Sequence, residues 1–450
     1  MTRQLTYRRA VLFVVLLVLI LVPVVYIGAS LLPVDNTLSL EEISQRYAAI
    51  DSNRAAGRPM QALYQIEALA AQTGWTANLQ LHAGEIWRDV GDLTRVASFW
   101  EGALAANPDD VPLIRALAET YLELQQWQEA VDILRLLVEH SPGDVWAHYQ
   151  LGLILAAFNP LEARQHLQIA VGIPAYHDVS AALLQVLTAN PNDPLISMQV
   201  GLVFVDVGLL PHAELAFEHA SVIGKPFPEA LAYIALVRDE QGKDGSQWIE
   251  QAVALDAENA QVRFLQGVHL RTIGDIDGSL AAFEAAASLS PDNPALMAEL
   301  GSAYRQVDDL ERAEQWLTRA VEASQGDPQF AALLALFYAE EGYRLGIAGV
   351  DNDGLELLRS TAAAQPTNAE VRAALGWALY QAGMPDEAIG HIDAALNIEP
   401  DNPRALFYKG RLLLETDNID AAMPFFERVI SQESPFFDES LRILQGFGLR

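Results

Sequence analysis

The sequence predicts an all-α protein: a solenoid of helical hairpins preceded by one transmembrane helix. Three observations carry this prediction. They are an uncharged apolar stretch near the N-terminus, a 34-residue repeat that starts at Ile43, and prolines at the repeat boundaries. Because the repeat uses most of the 450 residues, we expect one continuous array rather than about three ordinary domains.

The composition supports a folded chain and limits its partners. Hydrophobic residues make up 51% and charged residues 19%, which is too apolar for a disordered chain. The 59 acidic residues outnumber 28 basic ones, so nucleic acid is a poor partner. This charge either keeps a long solenoid soluble or attracts basic partners. The chain has no cysteine, which excludes disulfides, thiolate metal sites, a cysteine nucleophile and lipid attachment to an N-terminal cysteine.

The first element is an apolar segment, residues 10–32, whose 23 residues would span about 34 Å as a helix. It is preceded by Arg3, Arg8 and Arg9, and acidic residues follow it. We therefore predict a single-pass anchor in the cytoplasmic membrane, with the basic residues 1–9 inside and the repeats outside, in a periplasmic or extracellular space.

Two alternatives to an anchor exist for this segment. Residues 27–29 resemble a small-residue cleavage site, as in a signal peptide, but the apolar stretch is longer than a cleaved signal usually has. A buried core helix is disfavoured because the segment has no polar face. Whether the helix is cleaved stays open.

Residues 33–42 read as a linker, and residues 43–434 as the repeats. The unit that starts at Pro294 shows the plan most clearly: Leu300 and Gly301 lie near the middle of a first helix, and Ala313 and Leu317 lie in a second. Small residues allow two helices to approach closely and large ones fill the gaps. Ten units share this plan, and they start at Ile43, Ala77, Val111, Val145, Pro226, Ala260, Pro294, Pro328, Ala369 and Pro403.

The boundaries of the units carry helix stop and start signals. Proline ends one helix and Asp or Asn caps the next, as at Asn107 to Asp110 and Glu399 to Asn402. Within the units, Gly91, Gly274 and Gly383 supply the left-handed residue that ends a first helix.

In length, small–large pattern and terminal proline the units resemble the tetratricopeptide repeat family. This resemblance implies a right-handed solenoid whose inner wall, made of first helices, binds peptides or partner helices. The fifth, ninth and twelfth positions of each unit are the ones that face the groove in this family.

Three places depart from the frame. Between Val145 and Pro194 lie 49 residues, which predicts one extra helix at about residues 178–189. An insertion follows Tyr343, around residues 344–354, and its role is open. The last segment, residues 435–450, has room for one capping helix.

Applied to this chain, the groove-facing positions give the candidate peptide-binding residues. The central units supply an apolar strip of Tyr149, Leu153, Met198, Leu202, Val205 and Val237. Flanking units supply arginines at the twelfth position, namely Arg54, Arg88, Arg271 and Arg305. An apolar floor with arginines toward both ends suits a peptide that bears acidic groups. The alternative is that the extra helix packs over the strip and makes it core.

No motif for catalysis, nucleotide or zinc is present. His212 and His219 read as solvated, and Asp351 to Gly354 matches a calcium loop poorly because the closing position is Ser360. We therefore predict no metal, no cofactor and no enzyme activity.

The function predicted from anchor and repeats is a scaffold that binds partner proteins or peptides for assembly or envelope biogenesis outside the cytoplasmic membrane. Two alternatives are a regulatory subunit of a separately encoded enzyme and a self-associating structural solenoid. The sequence identifies neither the partner nor the oligomeric state.

Overall fold

The computed structural model describes residues 38–187, 194–223, 227–341, 352–432 and 434–447. Within these ranges the chain forms 24 α-helices and no β-strand, which confirms the all-α prediction. None of these helices combines the length and the apolar character that crossing a bilayer requires. The predicted anchor, residues 10–32, and most of the insertion around residues 344–354 lie outside the described ranges.

The chain divides into two compact units, Met1–His219 and Ala220–Arg450. The helices that begin in the first unit are α1 (Leu40–Ala55), α2 (Pro59–Thr73), α3 (Ala77–Val90), α4 (Leu93–Ala106), α5 (Val111–Glu123), α6 (Trp127–His140), α7 (Val145–Ala156), α8 (Pro160–Ala170), α9 (Pro174–Val186), α10 (Pro194–Asp206) and α11 (Leu210–Val222).

The second unit continues the series of hairpins. Its helices are α12 (Pro228–Glu240), α13 (Ser246–Leu255), α14 (Ala260–Thr272), α15 (Ile276–Leu289), α16 (Pro294–Gln306), α17 (Leu310–Ala323), α18 (Pro328–Glu341), α19 (Asn352–Ala364), α20 (Ala369–Gln381), α21 (Pro385–Ile398), α22 (Pro403–Glu415), α23 (Ile419–Ile430) and α24 (Phe437–Gly446).

The first helices of most units begin at the residue that the repeat frame gives. The exceptions are α12, which begins two residues late, and α1, which begins at Leu40 rather than Ile43. Helix α1 starts early because Ser39 and Glu42 form a capping box, each side chain bonding the backbone N–H of the other. The segment assigned to the linker is therefore helical from Leu40 onward.

Acidic and amide side chains start many of the helices, as the boundary signals predict. Asp144 Oδ1 accepts a hydrogen bond from the backbone N–H of Ala147 at 3.1 Å, and Asp309 Oδ1 accepts one from Arg312 at 3.1 Å. Such caps satisfy N–H groups that have no partner inside the helix.

Many of the hairpins turn at a residue with positive φ. Gly91, Gly274 and Gly383 have φ of +87°, +85° and +80°, which confirms their predicted left-handed conformation. The equivalent residues Gln125 and Asp308 adopt φ of +56° and +64° although they carry side chains. The left-handed turn is therefore retained at positions where another residue replaces the glycine.

Inside a hairpin, a glycine of the first helix lies against a large side chain of the second. A Cβ atom on Gly267 would lie 2.6 Å from the ring of Phe283, and one on Gly301 would lie 2.8 Å from Leu317 Cγ. Both pairs join the same two positions of the repeat. The same pairing recurs at Gly84 and Trp100, Gly201 and Phe217, Gly376 and Ile392, and Gly410 and Phe426.

Helices α8 to α11 leave the frame. Helix α9 is the extra helix, and it begins at Pro174 because proline is favoured in the first turn. The ring of Tyr176 in α9 stacks on Tyr149 in α7 with centroids 4.3 Å apart. Helix α10 returns to α7, where Ser197 Oγ donates a hydrogen bond to the carbonyl oxygen of Ala157 at 2.9 Å.

Candidate functional site

First helices of successive hairpins line a cavity in each unit. In the first unit the cavity has a volume of about 590 Å³, and we call it the N-terminal pocket. It is lined by Arg54, Leu81, Glu85, Arg88, Trp100 and Leu113, among others. Arg54, Leu81, Glu85 and Arg88 hold twelfth, fifth, ninth and twelfth positions of their units. Of the candidate binding residues, Arg54 and Arg88 lie in this lining.

The cavity in the second unit has a volume of about 490 Å³, and we call it the C-terminal pocket. Its lining includes Arg305, Trp377, Arg404, Phe407, Arg411 and Phe436, together with Glu340, Tyr408 and Glu439. These residues come from α16, α18, α20, α22 and the segment that enters α24. The pocket therefore spans the first helices of four hairpins and the final helix.

Stacked rings form one wall of the C-terminal pocket. Trp377 and Tyr408 are nearly parallel, with centroids 5.0 Å apart and 8° between the planes. Phe407 and Phe436 stack with centroids 4.8 Å apart. Phe407 and Tyr408 are only 4% and 3% exposed, so they support Trp377 and Phe436, which offer apolar area at a low cost in side-chain entropy.

Arg404 is the most enclosed cation of this pocket. Its guanidinium pairs with Glu340 and with Glu370 and lies 5.3 Å from the centre of the Phe436 ring. Burial lowers the pKa of Arg404, and burial likewise raises the pKa of Tyr408. Because a buried guanidinium needs paired carboxylates, Arg404 acts mainly as a support of the pocket.

Arg411 differs from Arg404 in its exposure and its bonding. Its side chain is 30% exposed, and within the described residues it makes one hydrogen bond, from Nη1 to Glu439 Oε1 at 2.7 Å. The guanidinium lies 5.5 Å from the centre of the Trp377 ring and 5.9 Å from that of Phe407. Most of its five N–H donors therefore remain for another acceptor.

The arginines predicted to fix the position of a bound peptide are already paired with acidic residues on the first helix of the following hairpin. Arg54 bonds Glu85 and Asp89, Arg271 bonds Glu299 at 3.2 Å, and Arg305 bonds Glu340 and Glu341. These ion pairs are partly exposed, so each contributes little to stability. They do link neighbouring hairpins, and a ligand carboxylate would compete with them.

Arg88 belongs to the same series and has a mixed environment. Its Nη2 donates to Thr120 Oγ1 at 2.9 Å and lies 3.6 Å from Glu123. Its guanidinium lies 5.0 Å from the centre of the Trp100 ring. Arg88 is thus the counterpart of Arg411 in the N-terminal pocket, but with a second polar partner.

The apolar strip of the central units is mostly packed inside the protein. Leu153, Met198 and Val237 are 2%, 6% and 2% exposed, so they belong to the core, and we correct their assignment to a groove. Tyr149 is half-covered by Tyr176 of α9. Leu202, which is 37% exposed, and Val205 remain on the surface. Leu153 lies in α7, which packs against α8 and the extra helix α9, and Val237 lies in α12, which packs against α13 and α14. The period alone does not reveal this packing.

The aromatic wall and Arg411 were missed as site residues. Trp377 and Arg411 hold the ninth position of the last two units, and Phe407 holds a fifth position. The same rule that selected the central strip would have found them if it had been applied to the C-terminal units. Arg404 holds a second position, and no sequence signal marked it.

Ser246, His269 and Asp239 are arranged in the order of a hydrolytic triad. His269 Nδ1 lies 2.6 Å from Asp239 Oδ2, and Ser246 Oγ lies 3.4 Å from His269 Nε2. The His269 side chain is only 1% exposed and the Asp239 side chain 5%, and neither residue lines one of the two pockets. The group is therefore a buried hydrogen-bonded cluster that ties the turn between α12 and α13 to α14.

Two histidines form a second enclosed pair. The Nδ1 atoms of His148 and His166 are 2.8 Å apart, and His148 Nε2 lies 3.1 Å from the carbonyl oxygen of Pro142. Because that carbonyl requires a donor, His148 Nδ1 accepts from His166 Nδ1. Burial lowers the pKa of His166. In the described part of the chain, no three His, Asp or Glu side chains are placed to hold a metal ion.

A series of two-helix hairpins with pockets on the side of the first helices defines a helical-repeat protein of the kind that binds other proteins. Two family models, both described as tetratricopeptide repeat, match the chain. One matches residues 88–153 and 273–337, and the other matches residues 230–294, 352–403 and 373–436. Together they cover more than half of the chain, which therefore belongs to the tetratricopeptide repeat family.

Two curated relatives share the repeats at low identity. Anaphase-promoting complex subunit CDC16 of Saccharomyces cerevisiae is 21% identical over 258 residues, which is 54% of this chain and 30% of that protein. Protein O-mannosyl-transferase TMTC1 of Homo sapiens is 25% identical over 177 residues, which is 31% of this chain and 19% of that protein. The chain thus spans less than a third of the length of either relative.

Solved structures with a similar fold include a tetratricopeptide repeat protein from Parabacteroides merdae, with a TM-score of 0.45 at 15% identity, covering 56% of this chain and 98% of that one. Yeast Tom70 is similar with a TM-score of 0.41 at 14% identity, covering 89% of this chain and 94% of that one.

Proposed function

We propose that this chain is a membrane-anchored scaffold that binds partner proteins or peptides along the first-helix side of its repeats. The anchor is residues 10–32, and the repeats lie outside the cytoplasmic membrane, where the scaffold serves assembly or envelope biogenesis. The observation that carries the binding function is the pair of pockets built from first helices of successive hairpins.

Further support comes from the chemistry of the pockets and from a relative. Both pockets combine arginines with aromatic rings, the residue types most often responsible for binding energy at interfaces. The yeast relative is, by its name, a subunit of a multiprotein complex. We propose a role without catalysis, because the one triad-like group noted above, at His269, is enclosed.

The partner is sought by crosslinking the full chain in its native membrane and identifying the captured proteins by mass spectrometry. A reproducible set of non-enzymatic partners supports the scaffold. A stoichiometric enzyme would instead favour the regulatory subunit, and capture of the chain by itself, with large assemblies in light scattering, would favour a structural solenoid.

The proposed topology has a separate test. A reporter that is active only in the cytoplasm should be silent when fused after Arg450, because the basic residues hold the N-terminus inside. A matched fusion after Arg9 should be active. Activity of the Arg450 fusion would contradict an outer location of the repeats.

A further inference from the structure

The C-terminal pocket has one cation that the protein leaves partly unused. Arg411 holds a single acidic partner, Glu439, whose own side chain is 46% exposed. By contrast, Arg305 and Arg404 each contact two acidic residues. A carboxylate that enters the pocket therefore finds its free donors at Arg411.

The charge of this lining runs against the charge of the chain. Arg305, Arg404 and Arg411 line the pocket with Glu340 and Glu439, whereas the chain carries a net charge of −31. Glu341 and Glu370 pair with Arg305 and Arg404 from outside this lining. The N-terminal pocket is balanced, with two arginines, one Glu and one Asp in its lining. Because Arg305 and Arg404 each contact two carboxylates, Arg411 is the place in this lining for an anionic group.

The rings beside Arg411 set a second requirement for the ligand, an apolar or aromatic group next to its carboxylate. The guanidinium lies over Trp377 and Phe407, so an acceptor bound to its edge is held next to the aromatic wall. A carboxylate binds such an edge through two parallel N–H···O bonds. The neighbouring side chain of the ligand then meets Trp377 and Phe436, the partly exposed rings of this lining.

We propose that the C-terminal pocket binds an internal segment of a partner protein in which an acidic side chain lies next to an aromatic one. The proposal rests on the scaffold function and specifies its ligand. The lining comes from the first helices of four hairpins, so an extended segment crosses several of them. Arg411 holds the carboxylate, and the partly exposed rings of Trp377 and Phe436 hold the aromatic side chain.

The test measures binding of a fluorescein-labelled dodecapeptide, blocked at both ends, with a central Glu-Phe pair, to the full chain by fluorescence anisotropy. We expect binding that weakens at high salt. Replacing Glu by Gln or Phe by Ala in the peptide should each weaken it at least tenfold. A peptide without the pair but with a free C-terminal carboxylate should not bind more tightly, and tighter binding would overturn the internal-segment assignment.

Two variants of the chain locate the site. Arg411→Met keeps an apolar stem over Trp377 but removes the donors, and it should weaken binding at least tenfold. Arg319→Met is the matched control, because Arg319 also lies over a ring, that of Trp316, but on the second helix α17 and outside both pockets, so it should leave binding unchanged. Thermal melting of both variants shows whether the fold is kept.

A third variant separates ligand binding from a structural role. Glu439→Gln frees Arg411 from its partner and should tighten binding of the acidic peptide about threefold. If Arg411 only supports the fold, this variant should weaken or not change binding, and the proposal fails. Should every peptide fail while native partners are still captured equally by the wild type and Arg411→Met, the ligand assignment is wrong and the scaffold function stands.

Discussion

The regular hairpin α14–α15 and the off-frame hairpin α10–α11 share the same internal packing but differ in their contacts with neighbouring helices. In both, a glycine of the first helix lies against a phenylalanine of the second, at Gly267 and Phe283 and at Gly201 and Phe217. Both turn at a glycine with positive φ. The hairpin α10–α11, however, is preceded by the extra helix α9, which packs against α7, α8 and α10, and Ser197 of α10 bonds the residue that follows α7.

This difference shows that a hairpin and its stacking are encoded separately. The hairpin depends on local signals, a small residue, a large residue and a turn, all of which lie within a single repeat. Stacking depends on which helix surfaces the neighbouring hairpins leave available for packing. The extra helix α9 changes the available surface beside α7. The candidate groove is set by stacking.

The largest expected effect concerns the central strip. Met198→Ser should destabilise the first unit by about 3 kcal/mol, because it removes a buried side chain and leaves a hydroxyl. Leu202→Ser, one turn later but 37% exposed, should cost less than about 1 kcal/mol. Hydrogen–deuterium exchange of α10 in the full chain measures both. Equal effects would mean that the strip is a surface groove after all.

The contact between α11 and α6 gives the next effect, and it depends on pH. His212 lies 4.9 Å from the ring of Trp127 and 5.4 Å from that of Phe204, and burial lowers its pKa to about 4. Between pH 6.5 and 4 the unfolded chain binds a proton that the folded chain does not, so stability falls as the pH falls. The loss is up to about 3 kcal/mol.

His212→Phe should remove this contribution while filling the same space between the two rings. Melting temperatures measured from pH 7 to pH 4 should therefore fall more steeply for the wild type than for the variant. Parallel curves would show that the off-frame contact does not depend on a neutral His212. Carboxylates titrate in the same range, but they contribute to both proteins alike.

These comparisons explain how much the sequence could predict. The helices of the framed units were placed well because caps such as Asp144 and turns such as Gly91 are local. The extra helix was expected from the spacing, but not that Tyr176 would cover Tyr149. The prediction that His212 is solvated is wrong. Its partner Trp127 lies in α6, several helices earlier in the chain, and the repeat period does not encode this contact.

The likeness of the two hairpins is tested by Gly201→Ala and Gly267→Ala. The added Cβ atoms would meet Phe217 at 2.4 Å and Phe283 at 2.6 Å, so each variant should lose about 1 to 3 kcal/mol of stability. Gly143→Ala is the matched control, because no atom lies within 4 Å of its Cβ position. Unequal losses, measured as shifts in the melting temperature, would show that the two hairpins differ inside as well.

The smallest effect concerns the turn that these hairpins share with their neighbours. Gln125 holds φ of +56° at the position where Gly91 and Gly208 have +87° and +73°, and its side chain is exposed. Gln125→Gly should therefore stabilise the chain by about 0.5 kcal/mol, because relief of the left-handed strain exceeds the added entropy of the unfolded chain. Gly91→Ala, in the same turn one repeat earlier, should destabilise it by about 1 kcal/mol. Opposite signs in melting temperature are the expected result. If Gln125→Gly also destabilises, the left-handed turn is not the strained element of that hairpin, and the shared turn would have to owe its shape to the packing of α5 and α6.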